Sequence, residues 1–172
     1  MENNVRKQIE PLVLKDVKIP MKTRNFRGEE RPPYNAKGER NFSIIIDPEQ
    51  VDIQDLIEKG WNIRQGKPNP EDPDYEPPYF LRVKVKYFPI GHELVRLNPK
   101  VTVVTSQGNL LMDEDSIGDL DTDEIMKANM TISGRWSESP TYTGVTAYLR
   151  KMAVRLCEDD DLDGLMDGLM DD

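Results

Sequence analysis

The clearest pattern in the chain is YFLRVKVKYF at 79–88, where Leu81, Val83, Val85 and Tyr87 alternate with Arg82, Lys84 and Lys86. A period of two predicts a strand with one dry face and one charged face. Upstream, the β-branched run NFSIIID at 41–47 predicts a second strand, closed by Asp47-Pro48. PEQVDIQDLIEKG then sets Val51, Leu56 and Ile57 on one side of a predicted helix, with Pro48 in its first turn and Gly60 at its C-terminal end. WNIRQ at 61–65 predicts another strand, and GKPNPEDPDYEPP at 66–78, with five prolines, predicts a long exposed loop.

Further on, KVTVVTS at 100–106 and NLLMD at 109–113 flank Gln107-Gly108 and predict a hairpin. ANMTISGRW at 128–136 and TGVTAYLRKMAVRL at 143–156 add two strands around the turn-like SESPT. Several short strands, one or two helices and irregular loops predict a mainly β fold, a small closed or partly closed barrel. IEPLVLKDVKIP at 9–20 alternates enough to be an edge strand, and an edge strand can pair with another copy.

Composition changes this picture at one end. The chain of 172 residues is 37% hydrophobic with 13 prolines, which fits one loop-rich domain over 1–157, with 1–20 as an N-terminal extension or edge strand. The remainder, EDDDLDGLMDGLMDD at 158–172, is too acidic to join a core and is expected to be a disordered tail. It holds eight of the 32 acids, so the rest of the chain carries 24 acids against 23 bases, and the net charge of −9 is almost wholly the tail's. No apolar run approaches the roughly 18 residues of a membrane span. The opening MENNVRKQIEPLVLKDV lacks a secretory h-region, so the expected location is the cytosol. A single cysteine, Cys157, excludes an internal disulfide, and with one histidine, His92, there is no ligand set for zinc. No cofactor and no metal are expected.

Catalytic signatures are missing: there is no GxxxxGK[ST], HExxH or GxSxG, and no catalytic residue is assigned. The acids of MDEDSIGDLDTDE at 112–124 lack the EF-hand order and read first as a solvated loop, with a metal-dependent nuclease as the distant alternative. The bases say more, because they sit beside aromatics. KTRNFRGEERPPYNAKGERNF at 22–42 interleaves six cations with Phe26, Tyr34 and Phe42, and Trp61 with Arg64, Tyr79 with Arg82, and Arg135 with Trp136 repeat the pairing. Single-strand binding needs this combination: cations follow phosphates and flat rings stack unpaired bases. The expected phosphate track is Arg24, Arg27, Arg40, Arg64, Arg82, Lys84 and Lys86, and the expected stacking platforms are Phe26, Tyr34, Trp61 and Trp136. Each ring has a competing assignment to the core.

In the tail, Leu162, Leu165, Met166, Leu169 and Met170 recur at helical spacing between aspartates, a pattern suited to docking in a basic, apolar groove of a partner protein. The tail can also fold back onto the chain's own basic groove and compete with nucleic acid. The plain alternative is a solubilising segment that binds nothing.

Taken in order, NFRGEERPPYNAKGERNFSIIID from Asn25, GWNIR at 60–64, PPYFLRVKVKYF at 77–88, PKVTVVT at 99–105, LLMDEDSIGDLDTDEI and TGVTAYLRKMAVRL resemble the single-stranded DNA-binding proteins of tailed bacteriophages. The shared pattern marks Phe26, Gly28, Asn35, Gly38, Arg40, Asn41 and Phe42 as a first motif and Trp61 as part of a second, over about residues 22–157. The resemblance implies an OB-fold that binds single-stranded DNA without strong sequence preference, in phage replication, recombination or repair. The tail is similar in kind to those by which bacterial single-strand binders recruit replication and repair proteins, but lacks their terminal aromatic. Self-association on DNA is a further expectation. From another class, the alternative is an acidic protein-interaction or DNA-mimic module, in which the tail carries the activity.

Overall fold

The computed structural model describes residues 9–33 and 35–157. Strands dominate: β1 (Leu12–Leu14), β2 (Arg40–Ile46), β3 (Ile63–Gln65), β4 (Tyr79–Val85), β5 (Lys100–Thr105), β6 (Gly108–Met112), β7 (Ile125–Glu138) and β8 (Thr143–Leu156), with one helix, α1 (Ile53–Glu58). Short 3-10 turns lie at Met21–Thr23, Val95–Leu97 and Ile117–Asp121.

The strands form one sheet in the order β1-β7-β8-β4-β2, with β3 on the free part of β4, and β5 on β8 carrying β6 as a hairpin. β7 and β8 form a long antiparallel pair, whereas β4 and β5 each meet β8 in parallel, one after the other along its length. The stretch after β1 continues along β7 through Val17 N to Ala128 O at 2.8 Å, then crosses to β2 where Lys18 bridges Ile45. The two ends of the strand order are thereby brought together, and the sheet curls into an OB-type barrel with long loops.

The alternation at 79–85 sets its inside and outside. Leu81, Val83 and Val85 of β4 meet Phe42, Ile44 and Ile46 of β2, Val145, Ala147 and Leu149 of β8, and Met130 and Ile132 of β7 in a single core. Arg82 and Lys84 point out. At roughly 1.5–3 kcal/mol for each fully buried large aliphatic, this interior fixes the register, because a one-residue slip of β4 would bring its cations inside.

Several details differ from the pattern-based expectation. The helix begins at Ile53 rather than near Pro48, because the Asp52 side chain accepts from Asp55 N at 3.1 Å and caps it there. Its buried side chains are Ile53 and Leu56, and Ile57 faces out. The strand expected at 61–65 is regular only over Ile63–Gln65, with Trp61 making an isolated bridge to Val145. The 9–20 segment pairs with β7 of its own chain, and the Gln50 side chain bonds Lys15 N and O at 3.0 and 2.6 Å. Among the described residues, no helix is long and apolar enough to cross a membrane.

Candidate nucleic-acid interface

The outward positions of β7, β8, β4 and β2 line up because the register aligns them. Ser133, Tyr148, Lys84 and Asn41 form one row across four strands, each opposite the next. Two residues along lie Arg135 opposite Thr146, and Arg82 opposite Ser43; two further along β4, Phe80 stands between Arg64 and Ile45. Rows two residues apart are separated by about 7 Å and strands by about 4.8 Å. Arg64, Arg82, Lys84 and Arg135 are exposed, and Phe80 and Tyr148 are half-buried. The outer face of the sheet thus bears four cations and two rings.

Arg82 is aimed by its neighbours. Its Nη2 donates to Asn41 Oδ1 at 3.0 Å, and Asn41 Nδ2 donates to Oδ1 of Asn35. Asn35 in turn donates to the carbonyls of Glu29 and Glu39 at 3.1 and 2.6 Å, so the sheet face is tied to the 25–39 loop through buried amides.

The first sequence motif builds this support. Phe26 stacks on Phe42 with ring centroids 4.8 Å apart, and both are fully buried. Gly28, at φ +72°, lets the loop's two limbs touch: a Cβ there would lie 3.2 Å from the Gly38 backbone, and Gly38 N donates to Gly28 O at 2.8 Å. Arg40 Nε donates to Phe26 O at 2.8 Å, its guanidinium reaches Glu114 at 3.6 Å, and it lies over the Tyr87 ring.

Accordingly, the expected residues divide. Arg64, Arg82 and Lys84 are brought together on the strand face. Lys86 follows just past β4, exposed, with its ammonium 5.3 Å from the Phe88 ring. Arg24 is not part of a surface track: it is 6% exposed and donates to the carbonyls of Ile19, Leu120 and Asp123. Burial pulls its guanidinium pKa down, against the opposing pull of Asp121 and Asp123. Arg40 is engaged in holding the loop, and Arg27 is exposed but lies across Gly118 of the acidic segment.

Of the expected platforms, Phe26 and Trp61 have no free face, at 0% and 3% exposure. Trp61 is pressed over Gly134, where a Cβ would come within 2.9 Å of its ring. Trp136 is half-buried on the core side of β7, against Gly60, with Nε1 donating to Glu138 at 2.8 Å. Tyr34 and the tail residues Leu162, Leu165, Met166, Leu169 and Met170 lie outside the described residues. The rings that do share the basic face, Phe80 and Tyr148, escaped the sequence reading. For Phe80 the signal was present, since it has the same parity as Arg82 and Lys84; for Tyr148 it required the pairing of β8 with β4.

The acids of 112–124 are occupied locally. Asp113 Oδ1 accepts from Asp115 N, Ser116 N and Ser116 Oγ, and the hydroxyl bond, the largest cause, lowers its carboxyl pKa. Asp121 accepts from Phe26 N at 2.6 Å and Arg27 N at 3.1 Å. Among the described residues, no three His, Cys, Asp or Glu side chains are grouped to hold a metal.

A curled sheet of this order, with a cationic, ring-bearing outer face, has the architecture of a small β-barrel of the OB type. The chain belongs to the family described as a putative phage ssDNA-binding domain, whose model matches residues 1–165 and so extends into the acidic segment. Among solved structures, it is similar to the single-stranded DNA-binding protein from bacteriophage Enc34 in complex with ssDNA, at 11% identity and TM-score 0.55, covering 86% of this chain and 87% of that one. A C-terminal truncation of the Enc34 protein gives 10% identity and TM-score 0.54, with 86% of each chain covered. A third structure, of the single-stranded DNA-binding protein from bacteriophage Enc34, gives 11% identity and TM-score 0.52, covering 86% of this chain and 82% of that one. At such identities the likeness is one of fold. No curated protein matches the chain.

Proposed function

We propose that this protein is a non-enzymatic binder of single-stranded DNA, without strong sequence preference, that protects or organises the strand during phage DNA replication, recombination or repair in the host cytoplasm. The observation that carries the reading is the outer face itself: Arg64, Arg82, Lys84 and Arg135 surround Phe80 and Tyr148 on adjacent strands. Cations at fixed spacing attract the phosphates, and the two rings offer flat surfaces to bases that are not paired. Membership of the phage family supports the choice of DNA strand as ligand. The same reading gives the acidic segment at 158–172 two roles, competing with DNA for the cations and recruiting replication or recombination proteins through its Leu and Met residues. Copies bound side by side on one strand complete it.

The test is the anisotropy of labelled oligo(dT), with equal-length duplex as the comparison, at several salt concentrations. Tight binding of oligo(dT) with a negative salt slope and weaker binding of duplex supports the proposal; no binding of oligo(dT) at low salt rules it out. Tryptophan quenching is the poorer probe, because Trp61 is buried and Trp136 stands on the core side of β7. A chain ending at Cys157 should bind oligo(dT) more tightly if the tail competes, and equal or weaker binding discards that role. A sigmoidal titration on long oligo(dT) reports contact between copies.

A further inference from the structure

After β4 the chain makes a loop over 86–99 before β5 takes β4's place beside β8. That loop is clamped. Phe88 N donates to Asn98 Oδ1 at 2.6 Å and Asn98 Nδ2 returns a bond to Phe88 O at 3.0 Å. Arg150, two residues beyond Tyr148, donates through Nη1 to Leu97 O at 2.9 Å and fastens the loop to β8. The His92 ring lies 4.9 Å from that of Phe88, and its Nδ1 accepts from Leu94 N at 3.0 Å.

At the tip, His92 N donates to Pro89 O at 3.0 Å, closing a four-residue turn with Gly91 at φ +92°. A positive φ at the third position is what a type II turn requires, and glycine supplies it. The turn holds Ile90 wholly outside, at 101% exposure. A solitary exposed aliphatic is ordinary on a protein surface. This one is different in being carried on a clamped turn, in a loop fastened to β8 two residues beyond Tyr148, with Lys86, His92 and Arg96 in the same loop and Glu93 its one acid.

We infer that Ile90 is an apolar contact for an unpaired base, and that the 86–99 loop forms one wall of the DNA path. The inference rests on the single-strand reading above. An unpaired base exposes an apolar face on which an aliphatic side chain can pack, whereas a duplex keeps those faces stacked inside and turns phosphates outward. The contact releases no counterion, so it adds affinity for single strands without steepening the salt dependence. Ile90 therefore discriminates single strand from duplex, which the cations alone do weakly.

The experiment compares the full chain with its Ile90→Ser and Ile90→Leu variants by anisotropy of labelled oligo(dT) and of duplex. Ile90→Ser should bind oligo(dT) about five- to tenfold more weakly, as expected for losing partial burial of one isoleucine. Its duplex affinity and salt slope should match those of the unaltered chain, and Ile90→Leu should recover most of the loss. Because the side chain is fully exposed, neither variant disturbs the core. If the unaltered chain binds oligo(dT) with a steep slope and Ile90→Ser binds equally well, the inference fails and the function stands. Equal weakening on duplex overturns it too, as does a loss confined to sigmoidicity on long strands, which makes Ile90 a contact between copies. If the unaltered chain ignores oligo(dT), both fall.

Discussion

Arg82 and Asn41 are joined by a 3.0 Å hydrogen bond from the guanidinium to the amide oxygen, so a surface cation is held by a buried polar group. Asn41 also donates to Asn35, which makes it the hinge pin between the β2–β4 face and the 25–39 loop. Asn41→Ala leaves the Asn35 oxygen buried without that donor and releases Arg82. It should reduce unfolding free energy by about 1–3 kcal/mol. Urea denaturation checks this: the midpoint should fall with an unchanged slope.

The burial of Phe26 and the position of Tyr148 make opposite predictions for two rings. Phe26→Ala opens a cavity beside Phe42 and should lower stability by about 3–5 kcal/mol. Tyr148→Ala should change stability far less but weaken oligo(dT) binding by about 1–3 kcal/mol, the range for one stacked base. Thermal unfolding and anisotropy on the same samples separate the two effects, and a Tyr148→Ala protein with unchanged affinity would remove that ring from the interface.

Four phosphate contacts, from Arg64, Arg82, Lys84 and Arg135, should give a slope of log affinity against log salt near −3, at roughly −0.7 per contact on single strands. Replacing Arg82 and Lys84 together with glutamine should bring the slope to about −1.4. Arg24→Gln, in contrast, should act through stability, because its guanidinium is satisfied by three carbonyls inside the protein.

Tyr87 has its hydroxyl buried without a hydrogen-bond partner among the described residues, and burial pushes its pKa up to about 12 from 10.0. The folded-state value lies above the unfolded one, so the stability linked to this group is fully present below pH 10 and is lost as pH rises towards 12. Denaturant midpoints measured across that window should fall, while tyrosinate absorbance shows Tyr87 ionising late, together with Tyr142, whose pKa burial also raises. Tyr87→Phe removes that part of the alkaline loss and should be neutral or stabilising near neutral pH, since no hydrogen bond disappears with the hydroxyl.

How much of this was legible in the sequence depended on distance along the chain. Period two in 79–88 identified the dry and charged sides of β4 without help, because alternation is a local property. The 22–42 segment misled for a physical reason: its aromatics and bases are interleaved in sequence, but Asn25 pairs with Asn41, Phe26 turns inward onto Phe42, and Arg24 and Arg40 are used as internal donors. A motif that looks like a binding loop is in large part the scaffold of one. Tyr148 was hidden because its neighbours on the face are decided by a parallel pairing between β4 and β8, more than sixty residues apart in the chain, which no local pattern encodes. The helix start was misplaced because Asp47-Pro48 and Asp52 both offer plausible starts, and only the Asp52 side chain reaches an unpaired amide of the helix.

β8 is hydrogen-bonded to β7 along nearly its whole length and on its other edge first to β4 and then to β5. Its amides should therefore be among the last to exchange with solvent deuterium, opening only when the whole barrel opens, while β6, held on one edge, exchanges early. The ring at the middle of the proposed interface, Tyr148, stands on this doubly paired strand. On the proposed reading, the strand face meets its ligand already in its final form, and the ordering that accompanies binding falls on the nucleic acid rather than on the protein.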